Sequence, residues 1–136
     1  MTKYIFDASA VVNLAKRGRL AAFLEGETLD LARYEALNAI WKETALLRRL
    51  DYSEALELAD ALNTLFRALK VNSIAGGEIG VLELATNEGL TIYDASYLYL
   101  AVKRNLTLVT DDKGLRNRAS RHVKVLSVRE LLEEDF

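Results

Sequence analysis

The stretch of residues 91–112 constrains the fold more than any other part of the sequence. Its first half repeats apolar residues at three- and four-residue intervals, which predicts an amphipathic helix of about twelve residues. Thr91 and Asp94 have the spacing of an N-terminal capping box, and Asn105 is a plausible helix stop. Residues 106–109 then predict a short buried strand. The helix positions expected to face the core are Ile92, Ala95, Leu98, Tyr99 and Val102.

The lengths of these two elements determine where their acidic residues lie. A helix of this size spans about 18 Å and a five-residue strand about 17 Å, so the two run antiparallel as the second half of a βαβ unit. Asp94 at the helix start and Asp111 and Asp112 after the strand are therefore expected at one edge of the sheet. That edge is the carboxyl end of the parallel strands, where open α/β sheets bind ligands.

The rest of the chain continues the alternation of strands and helices, which predicts an α/β fold with a parallel sheet. Strands are predicted at residues 4–6, 28–31, 71–74 and 123–126. Helices are predicted from residue 10 to near Gly18, as a short turn at 20–24, and at residues 33–49, 54–70, 78–88, 113–119 and 128–136.

Helices 33–49 and 54–70 are joined by a tight connection and predict a protruding αα-hairpin. An apolar face on such a hairpin can bind a partner. In the first helix, the positions expected to face the core are Tyr34, Leu37, Ile40, Trp41, Ala45 and Leu47; in the second they are Ala55, Leu58, Ala59, Leu62, Leu65, Phe66 and Leu69.

Composition limits the classes of function. A chain of 136 residues, 51% hydrophobic, is expected to form a single domain over residues 1–136 with a substantial core. It has no long apolar run and no signal-peptide pattern, which predicts a cytoplasmic protein without a membrane segment. The absence of cysteine excludes disulfides, thiolate metal sites and thiol catalysis. The net charge of −2 weighs against nucleic-acid binding.

The predicted order of strands and helices places acidic residues from four parts of the chain at the same edge of the sheet. Asp7 follows the first strand and Glu35 lies in the first turn of the helix after the second strand, so both join Asp94, Asp111 and Asp112 there. Any one of them is explained as a helix cap or by the helix dipole. Together they repel one another unless a cation is bound. Oxygen ligands without Cys or His favour one or two Mg²⁺ or Mn²⁺ ions, which suits in-line attack on a phosphodiester.

Four segments of the chain match a known family in order and spacing. The segments are YIFDASAVVNLA at residues 4–15, ARYEALNAIW at 32–41, IYDASYLYLA at 92–101 and LVTDDKGL at 108–115. With them the chain resembles the PIN-domain ribonucleases, and more narrowly the VapC toxins of toxin–antitoxin pairs. The resemblance implies a PIN-like three-layer sandwich, in which helices flank a short parallel central sheet and the αα-hairpin protrudes.

The resemblance also implies which residues form the site. Asp7, Glu35, Asp94 and Asp112 match the catalytic, metal-binding acids of the family. The family's last segment reads Thr, any residue, Asp, so Asp112 is preferred and Asp111 is an additional candidate ligand. The supporting positions are Asn13 and Asn38, which are commonly polar, and Thr110, which would orient a carboxylate or a water.

The implied activity is that of a Mg²⁺- or Mn²⁺-dependent endoribonuclease, the toxin of a type II toxin–antitoxin system. It would hydrolyse RNA to 5′-phosphate and 3′-hydroxyl ends, with the ion activating water and offsetting charge on the leaving oxygen. A metal-free route usually needs histidines, and His122, the one histidine, is predicted to be structural. The implied partners are RNA, a VapB-type antitoxin and a second copy of the chain. The basic residues near the predicted site would contact phosphates; they are Lys16, Arg17, Arg19, Lys113, Arg116, Arg118 and Arg121.

Two other functions are compatible with parts of the pattern. The first is a non-catalytic PIN-like interaction module that acts through its complex with antitoxin and DNA. The second uses Asp7 as a phosphoryl acceptor, as in haloacid-dehalogenase-like phosphatases or receiver domains. Ser9 stands where such phosphatases need a second Asp, and no acidic pair precedes the strand as receiver domains require.

Overall fold

The computed structural model describes residues 2–134 and consists of alternating strands and helices. The strands are β1 (Tyr4–Phe6), β2 (Gly26–Leu29), β3 (Lys70–Asn72), β4 (Thr107–Val109) and β5 (Val125–Leu126). The helices are α1 (Ala8–Lys16), α2 (Leu31–Trp41), α3 (Tyr52–Ala68), α4 (Glu78–Glu88), α5 (Ile92–Arg104), α6 (Lys113–Ala119) and α7 (Val128–Glu134). Ala21–Glu25 is a 3₁₀ helix, and Lys42–Leu46 continues α2 as a π-helical turn. Over residues 2–134, no helix combines the length and apolarity that a membrane crossing requires.

All five strands pair in parallel in the order β3-β2-β1-β4-β5, which confirms the predicted fold class. Tyr4 of the central strand pairs with Gly26 on one side and Thr107 on the other. After β1, the chain adds β2 and then β3 on one side of it, and later adds β4 and then β5 on the other side. The carboxyl ends of β1 and β4 therefore form a topological switch point, the place where such sheets bind ligands.

Helix α5 and strand β4 form as the sequence predicts, but the buried face of the helix differs. Thr91 caps α5 by accepting the Asp94 N–H, and Asn105 ends it in the left-handed conformation at φ 53°. Ile92 and Val102 are 43% and 47% exposed, so placing them in the core was wrong. Helix α5 packs against the sheet on one side and against α4 on another, so its buried face is wider than predicted and differently oriented. The buried residues are Ala95, Ser96, Tyr97, Leu98, Leu100 and Ala101.

Helix α2 packs through its small side chains. Its buried residues are Ala32, Ala36 and Ile40, which recur every four positions and face α1 and α3. The predicted core face was wrong except at Ile40, since the large apolar residues and Ala45 point to solvent. Alanine allows the neighbouring backbones to approach too closely for large side chains to fit between them. The exposed residues of the predicted face are Tyr34, Leu37, Trp41, Ala45 and Leu47.

Helix α3 completes the predicted αα-hairpin and packs as expected. Asp51 and Glu54 form a full capping box at its start. Ala55, Leu62 and Phe66 are buried within its predicted apolar stripe.

Most other element boundaries lie within two residues of their predicted positions. Strand β2 ends at Leu29 rather than residue 31, and α2 consequently begins two residues early, at Leu31. Helices α4 and α6 have the predicted bounds. The predicted end of α7 at Phe136 lies outside the described residues.

Candidate active site

Asp7 connects the central strand to the first helix. It directly follows β1 and caps α1, where its Oδ1 accepts the Ala10 N–H at 2.9 Å. This is the arrangement that an Asp at a helix N-cap adopts. The residue is only 5% exposed, so its carboxylate lies at the bottom of the site.

Two hydroxyl groups hold the Asp7 carboxylate in place. Ser9 Oγ donates to Oδ1 at 2.6 Å, and Thr110 Oγ1 donates to Oδ2. Thr110 Oγ1 also accepts the Asp112 N–H at 3.1 Å, so this hydroxyl joins the Asp7 carboxylate to the loop after β4. Burial raises the pKa of Asp7 to about 6, although the hydrogen bonds from Ser9, Thr110 and Ala10 partly oppose this. Thr110 thus orients a carboxylate of the site.

Glu35 and Asp94 lie on facing helices and are connected through Tyr97. The Tyr97 hydroxyl donates to Glu35 Oε1 at 2.8 Å, and Tyr97 follows Asp94 by one turn on α5. Burial raises the pKa of Glu35, the Tyr97 hydrogen bond lowers it, and the Asp94 charge raises it. Burial and the neighbouring carboxylate also raise the pKa of Tyr97 above its ordinary value, so its hydroxyl stays a donor.

The four acids form one electrostatic group with Asp94 at its centre. Burial raises the pKa of Asp94, and the charge of Asp112 raises it further. The Asp94 charge in turn contributes to the raised pKa values of Asp7 and Glu35. Residues from four distant parts of the sequence therefore meet at the carboxyl edge, as connectivity predicts.

Asp111 faces away from this group. Its Oδ2 accepts from Asn13 Nδ2 at 2.5 Å, and its Oδ1 accepts the Val128 N–H at 2.9 Å. Both oxygens therefore link α1 to the start of α7. Asn13 also accepts from Arg17 Nε at 2.8 Å, so it too serves this link, while Asn38 lines an open depression beside Glu35.

The chemistry of the donors fits a hard divalent ion, because the group offers carboxylate oxygens alone. Within residues 2–134, however, no three Asp, Glu or His side chains converge closely enough to hold an ion as they stand. Binding an ion therefore requires side-chain rotation. Asp94 is placed for this, since its carboxylate accepts no hydrogen bond from the described residues.

The basic residues expected near the site are largely engaged elsewhere. Lys16 pairs with Glu43, and Arg116 pairs with Glu130. Arg118 donates to the carbonyls of Glu88 and Gly89 at the end of α4, and Arg121 pairs with Glu88. The one histidine, His122, also contacts Glu88, with 2.8 Å between Nε2 and Oε1.

Two residues of the site were not predicted from the sequence. The predicted core face of the helix does not include Tyr97, and Ser9 stands out in the sequence only as an alternative helix cap and as the position where haloacid-dehalogenase-like phosphatases need a second Asp. The spacing of Tyr97, three residues after Asp94, was a usable signal, because residues at that separation share a helix face. Its partner Glu35 lies 62 residues away and is set only by the fold.

Two curated proteins are similar to the chain in sequence. No protein-family model matches it. Ribonuclease VapC3 of Pyrobaculum aerophilum is 37% identical over an alignment of 127 positions, gaps included, which covers 85% of this chain and 94% of that protein. Exonuclease VapC9 of the same organism is 36% identical over an alignment of 137 positions, gaps included, which covers 93% of this chain and 95% of that protein.

Solved structures share the fold. The crystal structure of PAE2754 from Pyrobaculum aerophilum superposes with a TM-score of 0.77 at 33% identity, covering 97% of this chain and 95% of that one. VapBC2 from Rickettsia felis, solved bound to a DNA fragment from its promoter, gives a TM-score of 0.64 at 15% identity, covering 93% and 98%. At the lower identity, the likeness concerns the fold alone.

Proposed function

The chain belongs to the VapC family of PIN-domain toxins, and from this we propose that it is a metal-dependent endoribonuclease that leaves 5′-phosphate and 3′-hydroxyl ends. The observation that carries the proposal is the grouping of Asp7, Glu35, Asp94 and Asp112 at the switch point of the sheet. The two relatives, named a ribonuclease and an exonuclease, support nuclease chemistry.

In this proposal the four acids hold one or two Mg²⁺ or Mn²⁺ ions. The bound ion would supply activation of water and stabilisation of charge on the leaving oxygen. Asp7 is the most rigid of the four because Ser9, Thr110 and the Ala10 N–H fix both of its oxygens. Such fixed positioning is what a ligand to a catalytic ion requires.

The other three acids have different roles in holding the site. Tyr97 fixes the direction of Glu35, whereas Asp94 is free to turn toward an ion or substrate. Asp112 caps α6 through the Leu115 N–H, which leaves its second oxygen for a ligand. Asp111 and Asn13 support the site indirectly, since they hold α7 against α1.

We also infer that the chain acts with a VapB-type antitoxin and as a homodimer. The Rickettsia felis neighbour, a VapBC protein bound to promoter DNA, supports an antitoxin partner. The hairpin carries large exposed apolar side chains of the kind that partners cover: Leu37, Trp41, Leu46, Leu47 and Leu56. Light scattering of the purified chain, alone and coexpressed with the protein of the adjacent gene, measures both associations.

The nuclease proposal is tested with a linear RNA and a circular RNA of the same sequence. Each is incubated with the unmodified protein in Mg²⁺, Mn²⁺ or EDTA, and with the variants Asp7→Asn and Asp112→Asn. We expect metal-dependent cutting of both RNAs, new 5′-phosphates, and loss of cutting in both variants. Cutting of the linear RNA alone would identify an exonuclease, and cutting that persists in EDTA would refute the metal-dependent mechanism.

Growth inhibition separates catalysis from a role in partner binding alone. Expression of the unmodified chain without an antitoxin should stop growth, and expression of Asp7→Asn should not, while circular dichroism of the purified variant should match that of the folded unmodified protein. Growth inhibition that survives Asp7→Asn would instead favour the non-catalytic interaction module.

A further inference from the structure

Two exposed tyrosines stand beside the acidic group. Tyr34 is 75% exposed and Tyr93 is 58% exposed. Each directly precedes a site residue in the sequence, since Tyr34 is followed by Glu35 and Tyr93 by Asp94. Both lie in the first turn of a helix, α2 or α5, whose amino end faces the carboxyl edge of the sheet.

The two rings line one open depression of about 390 Å³. Leu31, Glu35 and Asn38 complete its lining. Within residues 2–134, neither tyrosine hydroxyl bonds to another protein group and neither ring packs against another aromatic. Within the described residues, these two aromatic rings therefore add neither a hydrogen bond nor an aromatic contact to the fold.

The chemistry of the depression favours a nucleobase over a phosphate. None of the described residues that line it is basic, and its one charge is the Glu35 carboxylate, which repels an anion. Aromatic rings stack on any nucleobase, and the Asn38 amide can hydrogen-bond a base edge. A neutral planar ring thus fits where a phosphate does not.

We propose that Tyr34 and Tyr93 bind an unpaired base of the RNA next to the bond that is cut. This inference rests on the proposed function, because it places that base beside the acids that would act on the phosphodiester. Stacking needs a base outside a duplex, so the site would select single-stranded segments such as loops.

Direct binding tests the proposal without requiring cleavage. Binding of a short fluorescent single-stranded RNA is measured in EDTA by anisotropy for the unmodified protein and for Tyr34→Ala and Tyr93→Ala. Loss of one stacked base predicts affinity about 5- to 150-fold lower in each variant. Tyr34→Phe and Tyr93→Phe keep the ring and should recover most of that loss.

Tyr52→Ala is the matched control. Tyr52 is 72% exposed and begins α3 at the far end of the hairpin. It follows α2 and its π-helical extension, which together place it about 24 Å from the start of α2. This variant should bind the RNA as the unmodified protein does.

Two further ligands separate base stacking from other contacts. An abasic RNA of the same length should bind the unmodified protein as weakly as the normal RNA binds the alanine variants. The RNA paired with its complement should also bind weakly.

Unchanged affinity in both alanine variants overturns the proposal and would leave the tyrosines as contacts for a protein partner. Undetectable RNA binding by the unmodified protein also overturns it. The cleavage assay reports separately on the proposed function: a protein that binds RNA through the tyrosines but never cuts it retains this inference and loses the other.

Discussion

Replacing Asp7 with Asn should remove activity and at the same time stabilise the metal-free protein. Burial raises the Asp7 pKa from 3.8 to about 6. Keeping the Asp7 carboxylate ionised in the folded protein at neutral pH therefore costs free energy. A difference of about two pKa units, at roughly 1.4 kcal/mol each, corresponds to about 3 kcal/mol. Asn has nearly the same shape: its Oδ1 can keep accepting from the Ala10 N–H and Ser9 Oγ, while its Nδ2 would donate to Thr110 Oγ1, which reverses the direction of that bond.

The sign of the effect fixes its pH dependence. Because the pKa of Asp7 is higher in the folded protein than in the unfolded chain, the unmodified protein loses stability as the pH rises from about 4 to about 6. Above pH 6 the unfavourable contribution of Asp7 to the free energy of unfolding is at its largest. Asp7→Asn lacks that dependence. The gain in the free energy of unfolding should therefore be full at pH 7.5 and disappear near pH 4.

The assay is urea unfolding followed by circular dichroism in EDTA at several pH values. Asp51→Asn is the matched control, because Asp51 also caps a helix through its side chain but is exposed; its effect should stay within about 0.5 kcal/mol. Adding Mg²⁺ should stabilise the unmodified protein and leave Asp7→Asn nearly unchanged. A folded Asp7→Asn protein no more stable than the unmodified one at pH 7.5 would refute the reasoning.

Three more substitutions test other contacts. Tyr97→Phe removes the hydrogen bond that lowers the Glu35 pKa, so the acid side of the pH–rate profile should move to higher pH while stability falls by only about 1 kcal/mol. Arg104→Met leaves the fully buried Glu27 carboxylate without its ion pair, which should cost about 3 kcal/mol in urea unfolding. Burial raises the pKa of Glu27, but the hydrogen bonds from Arg104, Thr2 and Asn72 and the Arg104 charge together outweigh this and lower it. The Arg104 contribution should therefore be present above pH 4.5 and be lost at lower pH; equal losses at all pH values would contradict this. Asp111→Ala should destabilise α7 by about 1 kcal/mol yet keep cutting RNA, and an inactive but stable variant would show instead that Asp111 is a ligand.

Local signals in the sequence were enough to predict the sheet and the position of the acids. Helix α5 carries its own cap at Thr91 and its own stop at Asn105, so its bounds depend little on the rest of the chain. Once its length and that of β4 are known, connectivity alone places Asp94 and Asp112 at one edge. The meeting of the four acids follows from the order of the elements.

The orientation of α2 could not be predicted in the same way. Its large apolar residues recur at helical spacing, but so do Ala32, Ala36 and Ile40. Which stripe is buried depends on how closely α1 and α3 approach, and this distance is a property of the assembled fold. The directions of Asp111 and Tyr97 were missed for the same reason, since their partners are distant in sequence.

The alanine side of α2 bears on how proteins of this kind diverge. The contacts that the fold requires from this helix are made by Ala32, Ala36 and Ile40, while Tyr34, Leu37 and Trp41 extend to solvent. Mutations at the outward positions therefore change the exposed surface of the helix with little penalty in folding. Sequences of this fold can thus vary that surface while keeping the same core and the same acids.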